Sequence, residues 1–278
     1  MNTDARLVVG YDGSTDSLAA LEWAAKVASL RGEAIVATTI VDPRQTPRGV
    51  AWPDSYWEEI DDKARAVFAQ WPDVKATIER HVGHLVPRLL ECAEGSSMLV
   101  VGSHGHTTLH EMLLGSVSQS AARHAGPPVV VVRPPLHPES GRIVVGSDGS
   151  ESSTRAVELA CGMAELTGDK VVVLRAWEPM SVMPDRYGFA PPPSADTMEA
   201  AEGALGRVVD DLRAAHPEIA IEGEIFAGAP ERALADAADN ASLVVVGSRG
   251  HHAVGEVLMG SVGRALLHHA HCPVAIVH

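Results

Sequence analysis

The sequence is poor in cysteine and aromatic residues, and it contains no long apolar run. Cys92, Cys161 and Cys272 are its three cysteines, and no two of them have Cys-x-x-Cys spacing. This argues against a disulfide framework and a zinc site, so we expect reduced cysteines in or near the core. No segment approaches the roughly 20 apolar residues of a membrane span, and the first residues do not resemble a secretory signal. We therefore expect a cytoplasmic protein without membrane contact.

Positive charge is scarce as well. The chain has 22 lysine and arginine residues against 36 aspartate and glutamate residues, a formal net charge of −14. Because there is no basic run, nucleic acids and anionic membranes are not expected as partners. The phosphate-binding pattern GxxxxGK[ST] is also missing, so any phosphate has to be held by backbone groups and helix dipoles.

What the sequence does contain is an internal repeat. Residues 7–14 (LVVGYDGS) are similar to residues 143–150 (IVVGSDGS), and residues 97–105 (SMLVVGSHG) are similar to residues 242–250 (SLVVVGSRG). The chain of 278 residues is also about twice the commonest domain size. We predict one domain at 1–135, a second at 142–278, and a proline-rich linker at 136–141. A further proline-rich stretch at 179–193 is predicted to be an insertion in the second copy.

Short β-branched runs alternate with helical stretches in each copy, which is typical of a parallel sheet covered by helices. Strands are predicted at about 6–11, 33–41, 75–82, 97–102 and 128–133, and at about 142–147, 169–176, 218–226, 242–247 and 273–277. The predicted fold class is α/β: two tandem doubly wound, Rossmann-like domains, each with a five-stranded parallel sheet of order 3-2-1-4-5. Ligands of such sheets bind beyond the carboxyl ends of the strands.

Glycines stand at those strand ends. Each copy has Gly-x-x-Gly after the fourth strand, then nine residues, then Gly-Ser at a predicted helix start. The residues are Gly102, Gly105, Gly115 and Ser116 in the first copy and Gly247, Gly250, Gly260 and Ser261 in the second. Glycine allows close backbone approach, and a helix start offers unpaired N–H groups to an anion. The two serines either donate to a phosphate or cap the helix.

Asp12 and Asp148 end the first strand of each copy. Each carboxylate is able to accept hydrogen bonds from a sugar or base, or to coordinate magnesium that bridges to phosphate. The alternative is capping of the following helix. The histidines of the glycine loops, His104, His106, His110, His251 and His252, are spaced differently in the two copies. A metal site made of protein side chains alone is therefore not predicted.

Three aromatic residues, Trp52, Tyr56 and Trp57, are predicted to lie in the loop after the second strand. They either cover a bound base or pack against neighbouring structure, and packing is the interpretation we favour.

The glycine spacing resembles the ATP-binding signature of the universal stress protein family, and the resemblance covers nearly the whole chain. In that family the matching glycines and serine surround the phosphates, the aspartate contacts the nucleotide, and the backbone at the end of the second strand pairs with adenine. The implied site residues are Asp12, Ile40, Gly102, Gly105, Gly115, Ser116 and Val117, with Asp148, Ala176, Gly247, Gly250, Gly260, Ser261 and Val262 in the second copy. Magnesium would bind through ATP near the two aspartates. The segment around Ala176 departs from the usual short apolar ending.

These residues predict an ATP-binding stress-response regulator, with one adenine nucleotide per domain and a protein partner that the sequence does not identify. The alternative is a slow ATPase or phosphotransfer enzyme. Phosphoryl transfer needs positioned positive charge, and neither glycine loop contains lysine. We therefore expect no catalytic residues and at most weak ATP hydrolysis.

The fifth strands of both copies are predicted edge strands with a continuous β-branched run. Such an edge is an aggregation hazard unless another strand or helix covers it. We expect the two fifth strands to pair with each other, as in the dimers that the family resemblance implies, and the whole chain to form a homodimer.

Overall fold

The computed structural model describes residues 5–44, 53–105, 114–133, 140–177, 195–250 and 259–278. The predicted insertion at 179–193, most of the linker at 136–141, and residues Trp52, His106, His110, His251 and His252 lie outside these ranges. The chain divides into two compact units. Unit 1 contains the first repeat together with Pro273–Ile276, and unit 2 contains the second repeat up to Cys272 together with Val277.

Unit 1 alternates strands and helices along the chain. Its elements are β1 (Arg6–Gly10), α1 (Thr15–Arg31), β2 (Ala34–Val41), α2 (Asp54–Phe68), β3 (Ala76–Val82), α3 (Leu85–Ala93), β4 (Met98–Gly102), α4 (Ser116–His124) and β5 (Val129–Val132). The five strands are parallel and lie in the order β3-β2-β1-β4-β5. The predicted doubly wound order is confirmed for this repeat.

Unit 2 repeats this arrangement. Its elements are β6 (Arg142–Gly146), α5 (Glu151–Thr167), β7 (Lys170–Trp177), α6 (Ala195–Ala215), β8 (Ile221–Ala227), α7 (Pro230–Ala238), β9 (Leu243–Gly247), α8 (Ser261–His269) and β10 (Val274–Val277). Strands β8, β7, β6 and β9 are parallel neighbours in that order. The order matches the first four strands of unit 1, as the sequence repeat predicts.

The residues Pro273–Ile276 that belong to unit 1 bring strand β10 beside β5. The two strands are antiparallel, and Val274, Ala275 and Ile276 lie opposite Val131, Val130 and Val129. The predicted pairing of the fifth strands is confirmed by this register. All four residues of β5 are buried, so this β-branched run is covered and not exposed at an edge of the sheet.

Apolar residues on both faces of the central strands form the core of each unit. All five residues of β4 are buried, and Leu7, Val8 and Val9 of β1 are at most 1% exposed. Continuous burial of this kind is expected for a parallel sheet that carries helices on both sides. Helix α1 contributes small residues to this core, and it ends at Gly32 in the left-handed conformation that favours glycine.

Two sequence-based assignments are corrected. Tyr56 and Trp57 lie on helix α2 and not in a loop; this helix buries Ile60, Ala64 and Val67 along one face. Strand β8 begins at Ile221, later than the predicted residue 218. The Ile219 N–H donates to the His216 carbonyl at 3.3 Å, which turns the chain before the strand begins.

Candidate functional site

The carboxyl ends of β1 and β4 bring the first Asp and the glycine loop together. Gly10 of β1 lies opposite Val101 of β4, so Asp12 and Gly105 both follow neighbouring strand ends. A Cβ atom added at Gly105 would lie 2.9 Å from Asp12 Oδ2. The predicted carboxylate and the predicted loop therefore lie against each other, and a side chain at position 105 would displace the carboxylate.

The second unit has the same geometry. A Cβ atom added at Gly250 would lie 2.7 Å from Asp148 Oδ2. In each unit, therefore, a carboxylate oxygen lies against a glycine of the loop that follows the fourth strand.

Each Asp also orders the turn that follows its strand. Asp12 Oδ1 accepts hydrogen bonds from the Ser14 N–H at 3.0 Å and the Ser14 hydroxyl at 2.5 Å. Asp148 Oδ1 accepts from the Ser150 N–H at 2.9 Å. The helix cap itself is Ser14 or Ser150, whose side chain accepts from the backbone N–H three residues later. The capping alternative for Asp12 and Asp148 was therefore wrong, and each carboxylate holds the capping serine instead.

The first glycine of each loop allows close packing on the helix after the first strand. A Cβ atom at Gly102 would lie 2.6 Å from the backbone carbonyl carbon of Asp16, and one at Gly247 would lie 2.8 Å from that of Ser152. Real Cβ atoms essentially never come so close to backbone atoms. Gly102 and Gly247 consequently have a packing role beneath the loop in addition to the phosphate role that the resemblance implies.

The second part of the signature lies at the starts of α4 and α8. The Gly115 N–H donates to the Ser103 carbonyl at 2.8 Å, and the Gly260 N–H donates to the Ser248 carbonyl at 2.7 Å. These bonds tie each helix start to the loop after the fourth strand. The N-cap residues are the glycines, so the capping alternative for Ser116 and Ser261 was wrong.

Ser116 and Ser261 are the first residues of their helices, and both are exposed. Val117 and Val262 follow them and are half-buried. An exposed hydroxyl in the first helical turn is suited to an anion, because the N–H groups of that turn have no partners within the helix.

Sequence reasoning missed a polar cluster under the first loop. Asp16 Oδ2 accepts from the Ser103 hydroxyl at 2.6 Å and from the His104 N–H at 2.9 Å, and His104 Nδ1 also lies 2.9 Å from it. Burial alone would raise the pKa of Asp16, but the hydrogen bonds from Ser103 and His104 outweigh it and lower the pKa. The carboxylate thus fixes the loop backbone.

The second loop is fixed differently. Ser152 stands where the repeat places Asp16, and its hydroxyl donates to the Arg249 carbonyl at 2.5 Å. The only sequence feature that pointed to these contacts was the serine after the first loop glycine, which is present in both copies as Ser103 and Ser248. It gave no indication of the partner on the helix.

Two tyrosines lie near Asp12: Tyr11, which bonds to helix α2, and Tyr56, which is on that helix. The Tyr11 hydroxyl donates to the Ile60 carbonyl at 2.9 Å, and burial followed by the charges of Asp12 and Asp61 raises the pKa of Tyr11 to about 12. Burial and then the charge of Asp12 also raise the pKa of Tyr56. A phenol ring on α2 therefore lies within electrostatic reach of the first carboxylate.

The residues predicted to pair with adenine lie on the strand beside the first strand of each unit, on β2 next to β1 and on β7 next to β6. Ile40 is near the end of β2 opposite His81, and Ala176 is near the end of β7 opposite Phe226. Both side chains are half-buried. Their backbone role toward a base stays a prediction.

Comparison with known proteins identifies the family. The model of the universal stress protein family matches residues 5–133 and again residues 139–278. The chain belongs to the universal stress protein family. The universal stress protein Rv1996 of Mycobacterium tuberculosis is 31% identical over 301 residues, which cover 99% of this chain and 95% of the relative.

Universal stress proteins are also present among the solved structures that are similar to this chain. One from Archaeoglobus fulgidus covers 98% of this chain and 97% of its own, with a TM-score of 0.71 and 22% identity. Another, solved in complex with cAMP, covers 49% of this chain and 96% of its own, with a TM-score of 0.39 and 31% identity. In the described part of this universal stress protein, no helix is long and apolar enough to cross a membrane.

Proposed function

We propose that each repeat binds one ATP molecule, with magnesium, at the loop after its fourth strand. The observation that carries this proposal is the duplicated contact of Asp12 with Gly105 and of Asp148 with Gly250. One oxygen of each carboxylate orders the turn after its strand, and the other is set against the loop glycine. The occurrence of this arrangement in both units supports a shared ligand role.

The loop and helix start would hold the phosphates. Glycines at 105 and 115, and at 250 and 260, leave backbone accessible, and the first turns of α4 and α8 supply N–H groups and the positive end of a helix dipole. The Ser116 and Ser261 hydroxyls are exposed beside them. This donor set fits a phosphate group without any basic side chain, which suits a chain of net charge −14.

Asp12 and Asp148 would act on the ribose or the metal. One oxygen of each is occupied by the following serine, and the other faces the loop glycine. A carboxylate oxygen in that position would accept from a ribose hydroxyl or coordinate magnesium, the latter neutralising phosphate charge when ATP is bound. The backbone at Ile40 and Ala176 would pair with adenine.

The activity that follows is nucleotide-dependent regulation and not catalysis. A ligand that binds only the folded state stabilises it by RT ln(1 + [L]/Kd), about 2.7 kcal/mol at a hundredfold excess over Kd. Nucleotide supply would thus set how much ordered protein is available to a protein partner. We also propose that the chain acts in the cytoplasm as a homodimer.

The test is to denature the purified protein, separate the released small molecules and identify any nucleotide and its amount per chain. Equilibrium dialysis of the stripped and refolded protein against ATP, AMP, cAMP and GTP then ranks the ligands. We expect adenine nucleotides to bind and GTP to bind at least tenfold more weakly. A folded protein that binds none of them would overturn the proposal.

A further inference from the structure

A cavity lies in unit 1 on a face of the sheet, away from the glycine loop. It has a volume of about 450 Å³, is partly open to solvent and is lined by strands β1, β2 and β3 and by helix α3. Its wall includes Arg6 and Val8 from the first half of β1, whereas Asp12 follows the end of that strand. The cavity therefore plays no part in the nucleotide site proposed above.

A chain of hydrogen bonds crosses the wall of this cavity. Arg88 NH1 donates to Glu91 Oε2 at 2.8 Å, and Arg88 NH2 lies 3.1 Å from His81 Nδ1. Because a guanidinium only donates, His81 Nδ1 is the acceptor and its proton is on Nε2. That nitrogen lies 3.0 Å from Glu79 Oε2 and donates to it. Both carboxylates of the wall thus already have donors.

The groups left over in the wall are donors. Among the residues that the structure describes, Thr38 Oγ1 and Arg88 Nε are buried without a hydrogen-bond partner. Arg6 forms no ion pair within the same residues, and its NH2 donates only to the Glu94 carbonyl at 3.4 Å. A buried donor without an acceptor is costly, so the Thr38 hydroxyl and Arg88 Nε indicate an acceptor that the protein itself does not supply. Arg6, which is already bonded to Glu94, adds a positive charge to the same wall.

The second repeat shows that the fold does not require this polar wall. Aligned through the repeat, Leu174 replaces Thr38, Phe226 replaces His81, and Ala233 replaces Arg88. Leu174 and Ala233 are 4% and 2% exposed, as expected of ordinary core residues. Arg142, at the position of Arg6, is bonded to Glu224 at 2.9 Å. The Thr38 and Arg88 donors therefore have no counterpart in unit 2, although Arg142 Nε is also buried without a hydrogen-bond partner among the described residues.

We propose that this cavity binds a small organic carboxylate. Its carboxylate oxygens accept from Thr38, from Arg88 Nε and from Arg6, which together supply the positive charge and donors that such a group needs. Its carbon atoms pack against Val8 and Val36, the apolar part of the wall. The volume exceeds what an inorganic anion requires, which favours an organic ligand.

Ligand-observed NMR on the full chain, stripped of nucleotide, tests the proposal with three probes: succinate, inorganic phosphate and the neutral diamide succinamide. We expect saturable binding of succinate, at least tenfold weaker binding of phosphate and no binding of succinamide. Tighter binding of phosphate than of succinate would overturn the proposal that the ligand is an organic carboxylate. The absence of saturable succinate binding up to about 10 mM, ten times the Kd of a weak millimolar site, would overturn the cavity as a carboxylate site.

Variants assign the binding to this cavity. Thr38→Val and Arg88→Ala should each weaken succinate binding at least tenfold, whereas Arg232→Ala, on the exposed surface of helix α7, should leave it unchanged. Circular dichroism and ATP binding report whether each variant is folded. Equal succinate affinity in folded wild-type and Arg88→Ala protein would contradict the proposal.

Cys92 gives a readout that needs no variant. It lies in the cavity wall and is half-buried, whereas Cys161 and Cys272 are fully buried. Alkylation by iodoacetamide, followed by mass spectrometry, should therefore modify Cys92 first. Saturating succinate should slow this modification at least threefold. An unchanged rate at saturation would contradict the assigned location.

Discussion

At the scale of single residues, replacing a loop glycine with alanine tests how closely the backbone approaches its neighbours. Gly105→Ala would place a Cβ atom 2.9 Å from Asp12 Oδ2, so the carboxylate has to move. We expect the first site to lose about 1–3 kcal/mol of ATP binding, the usual cost of a displaced polar partner. Titration calorimetry checks this, with Gly126→Ala as the control because nothing lies within 4 Å of its added Cβ. Equal losses in both variants would remove the specific role of Gly105.

The lowered pKa of Asp16 predicts how the stability of the protein changes at acidic pH. The pKa of Asp16 is lowered in the folded protein from the usual value of 3.8, so its contribution to stability is complete above that value and is lost as the pH falls through the folded pKa. Asp16→Asn should therefore lower stability at neutral pH and flatten the loss of stability below about pH 4. Urea unfolding at a series of pH values measures both effects.

Glu158 provides the control for that prediction, since it is an exposed carboxylate on helix α5. Glu158→Gln should leave the shape of the pH curve close to that of the wild type. If Asp16→Asn and the wild type lose stability in parallel below about pH 4, the Asp16 cluster does not hold the loop in the way its hydrogen bonds indicate.

At the scale of elements, two glycines should respond in opposite directions to the same substitution. Gly102→Ala would set a methyl group 2.6 Å from the backbone of α1, so the strand and helix have to separate. We expect a loss of about 1–3 kcal/mol from overpacking. Gly206 is exposed in helix α6 with nothing within 4 Å of an added Cβ, so Gly206→Ala should gain about 0.5–1 kcal/mol. Chemical denaturation measures both, and a stabilised Gly102→Ala variant would contradict the packing role.

Much of the fold could be predicted from the sequence because the central strands are continuous apolar runs. Strands such as β4 are buried on both faces, and four apolar residues ending at a glycine are typical of such a strand. The start of helix α2 was wrongly assigned to a loop because Pro53 and the neighbouring aromatic residues resemble one. Its helical character depends on tertiary burial of Ile60, Ala64 and Val67, which local composition does not reveal.

Of the candidate site, only the positions of the loop glycines and of the strand-end aspartate could be predicted. The glycines and Asp12 follow a fixed spacing along strands whose ends meet, so their proximity follows from topology. The Asp16 cluster was not predictable, because its partners Ser103 and His104 are separated from it by more than 80 residues and no pattern links them. The close contact of Gly102, at the end of β4, with helix α1 also depends on packing that the spacing of residues does not determine.

At the scale of the whole molecule, the β5 strand needs its partner. Val130 lies opposite Ala275 of β10 and is completely buried. Val130→Lys would bury an unpaired charge, and we expect a loss of at least about 3 kcal/mol of folding free energy. Val82→Lys is the control, since Val82 ends β3 and is 71% exposed. Thermal unfolding compares the two, and similar melting temperatures would show that β5 is not held in this sheet.

The two repeats also differ in ways that a repeat alone does not predict. The loop of unit 1 is held by a carboxylate and that of unit 2 by the hydroxyl of Ser152. Only unit 1 has Thr38 and Arg88 where unit 2 has Leu174 and Ala233. We infer that duplication kept the glycine loops while other surfaces diverged.

The central claim is that each repeat holds its own nucleotide through the strand-end carboxylate, and calorimetric titration of the stripped protein with magnesium ATP tests it most directly. We predict two molecules bound per wild-type chain. Asp12→Ala and Asp148→Ala should each weaken one site by about 1–3 kcal/mol and leave the other unchanged, so that each variant is the control for the other. Removing both carboxylates should weaken both sites. A folded wild-type protein without measurable heat of ATP binding, or two variants with undiminished affinity at both sites, would contradict the account.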